Sequence, residues 1–195
     1  MPSPDSDLHM AVTELFDGGI VNNANIASRI AHLILEPLIG STALSANMPL
    51  RVTDRADKWS IQGNRAASSA VPGSCNLEIR KRDAEVLVLS DQQTQDLLSN
   101  PAAAERFASA VLENSAGKEE LSRQSPLIVD DKGVTWRVRG SGNANRAIEG
   151  PGPFELEVQK RDARVLDMWF GWVLNTLPEV QALLRASAGN PTKGR

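Results

Sequence analysis

Tyrosine is absent from this 195-residue chain, cysteine occurs once, histidine twice, and only eight residues are aromatic. Each shortage removes a class of explanation. Cys75 alone cannot form an internal disulfide. His9 and His32 leave little with which to build a nucleophile–base pair, and one cysteine with two distant histidines is no metal-ligand cluster. No glycine-rich phosphate loop opens a helix: Gly140-Ser141-Gly142 follows a strand-like stretch but leads into another loop. No apolar run approaches the length of a membrane span. The acidic Met1-Pro2-Ser3-Pro4-Asp5-Ser6-Asp7 lacks the basic and apolar regions of a signal peptide, so a cytoplasmic protein without membrane contact is expected. A net charge of −3 argues against nucleic acid and favours a basic protein partner. The apolar fraction of 41% is that of an ordinary globular protein. The expectation is a folded protein with no catalytic residues, no metal and no cofactor.

What the chain does contain is a copy of itself. Lys81-Arg82-Asp83-Ala84-Glu85-Val86-Leu87 returns as Lys160-Arg161-Asp162-Ala163-Arg164-Val165-Leu166 with one substitution. A shift of 77 residues superposes Gly40 on Gly117, Pro49-Leu50 on Pro126-Leu127, Val52 on Val129, Asp54 on Asp131, Trp59 on Trp136 and Gly63 on Gly140. A two-residue insertion then makes the shift 79. Residues 24–63 and 101–140 are identical at 14 of 40 positions, and 72–90 and 151–169 at 10 of 19, which marks a tandem duplication. The expected organisation is an N-terminal helix in 1–21, copy one in 22–90, a linker in 91–100, copy two in 101–169, a C-terminal aromatic segment and helix in 170–187, and a tail in 188–195.

Leu8, Ala11, Val12, Leu15 and Phe16 predict a first helix over 5–17 that closes one edge of the core. Ile26, Ala27, Ile30, Ala31, Ile34 and Leu35 predict the helix of copy one, stopping near residue 39 before Gly40. Ala104, Phe107, Ala108, Val111 and Leu112 fall in the same frame in copy two, with Pro101 in the first turn and Gly117 at the stop. Strands are expected at 48–52, at 58–62 with Trp59 and Ile61 on one face, and at 77–80. A hairpin turn at 81–84 leads to a return strand carrying Val86, Leu87 and Leu89. The fold class is α+β: two tandem helix-plus-antiparallel-sheet repeats packed together, with extra N- and C-terminal helices. One such unit alone would bury only a marginal core. Beyond copy two, Trp169, Phe170 and Trp172 are read as core closure, ahead of a helix capped by Thr176.

The striking residue types mostly have plain readings. Trp59 and Trp136 belong to the core, His32 is a partly exposed structural histidine aligned with Ser109, and Glu78 and Glu157 are surface ion pairs. Lys81-Arg82 and Lys160-Arg161 sit at polar turns and are too short for a nucleic-acid patch. In copy two, Arg137 and Arg139 oppose Glu155 and Glu157 as a solvated ladder worth a few tenths of a kcal/mol per pair. Copy one has the quieter Ser60 and Gln62 there, a surface better suited to being covered. The loops 64–74 and 141–152 are where the copies differ in length, and loops are where binding specificity is varied. The candidate partner-binding residues are Ser60, Gln62, Asn64, Arg65, Ser68, Ser69, Asn143, Asn145, Arg146 and Glu149.

Gly40, Pro49, Val52, Trp59, Ile61, Gly63, Gly73, Ile79, Lys81, Asp83, Val86 and Leu87 form one pattern. It recurs as Gly117, Pro126, Val129, Trp136, Val138, Gly140, Gly152, Val158, Lys160, Asp162, Val165 and Leu166. In that pattern each copy resembles a domain of the nuclear transport factor 2-like (cystatin-like) immunity proteins encoded beside bacterial polymorphic toxins, including those of type VI secretion. The family has glycine where this chain has Ala84 and Ala163. An alanine held at positive φ costs about 1 kcal/mol, so either another turn type or another residue in that conformation is expected. The resemblance implies a non-enzymatic immunity protein that binds and neutralises a cognate secreted toxin by stoichiometric occlusion, without a cofactor. The residues alone also allow a small-molecule-binding or enzymatic cone-fold protein, or a structural or inhibitory protein-binding module.

Overall fold

Two asparagines at equivalent places begin the two main helices. Asn23 Oδ1 accepts from the N–H groups of Asn25 and Ile26, and Asn100 Oδ1 from that of Ala103, so each caps orphan donors of a first turn. The computed structural model describes residues 19–63, 75–89, 96–141 and 154–170. The expected helices at 5–17 and after Thr176, and the loops 64–74 and 142–153, lie outside the described residues. Copy one consists of α1 (Ala24–Ile39), α2 (Ser41–Ala46), β1 (Arg51–Arg55), β2 (Lys58–Gln62), β3 (Asn76–Arg80) and β4 (Val86–Leu89). Copy two consists of α3 (Pro101–Ala116), α4 (Lys118–Gln124), β5 (Leu127–Asp131), β6 (Thr135–Gly140), β7 (Phe154–Gln159) and β8 (Val165–Phe170). Each copy is a four-stranded antiparallel meander with a long helix against it, which makes the fold α+β.

The short α2 and α4 were not legible as helices, because neither carries an apolar stripe. They form because Gly40 and Gly117, at φ 82° and 88°, end the long helix and turn the chain into a new one. In β2 and β3 the inward residues are Trp59, Ile61, Leu77 and Ile79, matched by Trp136, Val138, Leu156 and Val158, all buried as alternation predicts. Each tryptophan also has a polar task. The indole N–H of Trp59 donates to the Val21 carbonyl at 2.7 Å, and that of Trp136 to the Leu98 carbonyl at 2.7 Å. The equivalence thus reaches upstream of the identities, to Ile20-Val21 and Leu97-Leu98, all four buried. The repeated glycine after β2 and within β6 is a close approach. A Cβ on Gly63 would lie 2.3 Å from Asn47 Oδ1, and one on Gly140 1.9 Å from Gln124 Oε1.

The repeated heptad is the seam between the copies. Val86 N–H donates to the Asp162 carbonyl at 2.9 Å, and Val165 N–H to the Asp83 carbonyl at 2.8 Å. These bonds are reciprocal, the signature of an approximate two-fold axis within one chain. Within each turn the Asp carboxylate accepts from the N–H two residues on, at Glu85 and Arg164, and fixes its shape. Lys81 N–H and Lys160 N–H donate to the carbonyls of Asp57 and Val134, while their carbonyls accept from Val21 and Leu98. Each ammonium lies over its tryptophan, 4.7 and 4.0 Å from the ring centroid, and pairs with Asp54 or Asp131 at 2.6 Å. Apart from the exposed Arg82 and Arg161, the Lys-Arg-Asp-Ala turns are therefore structural parts of the seam.

Ala84 and Ala163 themselves take the left-handed conformation, with φ 61° and 57°. Neither expectation for these turns holds: the alanine itself takes the left-handed conformation and bears the cost directly. Both are fully buried, so each methyl contributes to the core what glycine could not. The helices complete the junction. Arg29 pairs with Glu113 at 2.8 Å and its counterpart Arg106 approaches Glu36 at 3.9 Å. The buried side chains of both copies form one continuous cluster. The heptad's single substitution also has a role at this seam. Arg164 reaches across to Asp83 and Glu85, at 3.6 and 3.8 Å, whereas identical copies would have brought like charges together.

Three variants test the seam. Ala163→Gly should change stability by less than about 1 kcal/mol, since relief of backbone strain offsets the lost methyl. Ala163→Val, β-branched at positive φ in a filled site, should cost more than about 2 kcal/mol. Arg164→Glu should cost about 1 kcal/mol by setting a third carboxylate beside Asp83 and Glu85. Urea unfolding followed by tryptophan fluorescence measures all three.

Candidate functional site

Each sheet spends its inner face on its own helix, which leaves the outer faces for contact. In copy two the register lines up Ile128, Arg139, Glu155 and Trp169 as one outer row, and Asp130, Arg137, Glu157 and Asp167 as the next. The expected ladder exists, but its bonds run diagonally. Arg137 faces Glu157 and binds Glu155 instead, while Arg139 faces Glu155 and binds Asp130 at 2.7 Å. The hydrogen bond that Arg137 donates to Glu155 raises the pKa of its guanidinium above the ordinary value. Glu157 accepts from the Thr135 hydroxyl at 3.0 Å. It lies between Arg137, which attracts it without the direct ion pair expected there, and Asp167, and neither carboxylate has a salt-bridge partner among the described residues.

Trp169 corrects the core-closure reading. Met168 and Phe170 turn inward and are buried, whereas Trp169 between them is 38% exposed. The residue pattern held the signal: alternation from the polar Asp167 places Trp169 outward with it. Phe170 pairs with Phe154, centroids 5.3 Å apart, so core closure falls to the phenylalanine. Trp172 lies outside the described residues. Ile128 and Leu166 are also exposed, so copy two's outer side carries apolar as well as charged contact groups.

The outer face of copy one differs in charge. Its rows are Arg51, Gln62 and Asn76; Thr53, Ser60 and Glu78; and Arg55, Lys58 and Arg80. Gln62 is exposed and Ser60 half-buried, both outward as the alternation predicts. Glu78 forms the expected surface pair, with Lys58 at 2.8 Å. Arg80 turns to Asp83 and Glu85. The flanking arginines and lysine make this face basic, which the reading from Ser60 and Gln62 alone missed. Asn64, Arg65, Ser68, Ser69, Asn143, Asn145, Arg146 and Glu149 lie outside the described residues.

A groove of about 530 Å³ runs between α1 and α3, lined by Arg29, His32, Leu33, Ala102, Glu105, Arg106 and Ser109. It lies beside the pseudo-two-fold axis, since Arg29 and Arg106 are equivalents, as are His32 and Ser109. His32 is exposed on its wall, more open than the partly exposed histidine expected. Among the described residues no group of three or more His, Cys, Asp or Glu could hold a metal ion, and no helix is long and apolar enough to cross a membrane. Comparison with family models, curated proteins and solved structures finds no match to this chain.

Cys75 is buried, and burial pushes its thiol pKa up. Its reaction with a disulfide reagent should be about tenfold or more slower in the folded protein than in urea, because the thiolate is both scarce and covered. Absorbance of the released thiol measures the two rates.

Proposed function

We propose that the protein is an immunity protein of two cystatin-like units that binds a cognate secreted antibacterial toxin and neutralises it by occlusion, acting in the cytoplasm. The observation that carries this reading is how the repeated polar residues are used. Lys81, Asp83, Lys160 and Asp162, charged groups repeated in both heptads, are committed to tryptophan faces, turn N–H groups and the seam. What remains for function is the surface of one joined body. A scaffold whose halves are already locked orders little on binding, which favours stoichiometric capture. The resemblance of both copies to toxin-immunity domains supplies the class of partner. The occlusion needs no cofactor.

Co-expression with each neighbouring open reading frame of its own locus tests the proposal. One neighbour should be toxic alone, harmless together with this protein, and recovered with it in a one-to-one complex. If no neighbour is toxic or bound, the immunity reading fails.

A further inference from the structure

We infer that the outer face of the copy-two sheet, centred on Glu157, Asp167 and Trp169, is the docking surface for a cationic face of the protein partner. This rests on the toxin-binding reading and states where, and by what chemistry, the toxin is held. Glu157 and Asp167 are directly opposed on β7 and β8. Like charges in that arrangement cost stability in a free sheet. Arg137, opposite Glu157 on β6, attracts it but gives its direct bond to Glu155, and Arg139 pairs with Asp130, so among the described residues Asp167 has no salt-bridge partner. Two residues beyond Asp167, on the same face, the Trp169 indole is open to solvent. A lysine or arginine laid across Glu157 and Asp167 would remove the repulsion, and covering Trp169 would provide the apolar anchor that protein contacts favour.

Comparison with copy one shows that the repeat does not need this arrangement. Glu78, the counterpart of Glu157, is neutralised by Lys58 at 2.8 Å. Val88 and Ser90 stand in sequence where Asp167 and Trp169 stand in copy two. Asp167 and Trp169 are thus additions to one copy, and it is Asp167 that sets a like charge opposite the shared glutamate. A rival occupant is a second copy of this protein, whose copy-one face presents Arg51, Arg55 and Lys58.

The test uses the full-length protein and the toxin recovered by co-expression, with affinity measured at low and moderate salt. Trp169→Ala should weaken binding by about tenfold or more. The Glu157→Gln/Asp167→Asn double variant should weaken it and flatten its salt dependence, while melting no lower than the parent protein. Glu119→Ala, at a solvent-exposed position on α4, should bind unchanged. If both copy-two variants bind as the parent does, the inference is overturned while the immunity reading stands. If no toxin binds the parent protein, both fall. Sedimentation of the protein alone at low salt covers the rival: an oligomer abolished by Trp169→Ala would assign this face to a second copy and overturn the inference.

Discussion

Two backbone hydrogen bonds, one from each copy to the other, hold the place on which the rest of the structure depends. Val86 gives its N–H to Asp162 and Val165 gives its N–H to Asp83. For both bonds to form, each turn must carry its carbonyl outward at the aspartate and then reverse within one residue. The left-handed alanines make that reversal, and the aspartate side chains hold it. The turn's other contacts propagate the order inward. Each lysine backbone ties the segment before the helix to the hairpin, its ammonium covers the tryptophan, and the tryptophan in turn binds that same segment. Helix, sheet and neighbouring copy meet at one heptad, which gives a physical reason for its close repetition.

Much of this was legible in the chain. The stripes from Ile26 to Leu35 and from Ala104 to Leu112 marked the long helices, because burial on one side repeats at helical spacing. Trp59 and Ile61 marked the inner face of their sheet through alternation. The upstream Ile20-Val21 and Leu97-Leu98 were missed because the copies retain apolar character there without identity. Arg29, Glu36, Arg106 and Glu113 are identical between copies, yet their pairing crosses the axis, and a linear comparison does not show which copy each will meet. Trp169 was misread as core because three aromatics within four residues look like core, whereas the strand's parity decides for each singly. The left-handed alanines were legible only as a departure from a glycine pattern. Burial of their methyls, a tertiary fact, explains why alanine is kept.

The departures from symmetry carry as much meaning as the symmetry. Arg164 against Glu85 makes the seam complementary, so the two halves suit each other better than either suits its own kind. Basic side chains on one outer face, and opposed carboxylates beside an open tryptophan on the other, give the two sheets different surface chemistry on a shared frame. Duplication allows this division: one unit supplies half of the core while the other is free to vary outward.

The central claim is that the reciprocal turn contacts join the copies into one cooperative unit. Native-state hydrogen exchange at the Val86 and Val165 amides tests it most directly, since each donates across the seam. Both amides should exchange only through global unfolding, with equal free energies that match those of the Ile79 and Val158 amides inside the sheets. If either seam amide exchanged through a much cheaper local opening while Ile79 and Val158 stayed protected, the copies would be neighbours and not one unit.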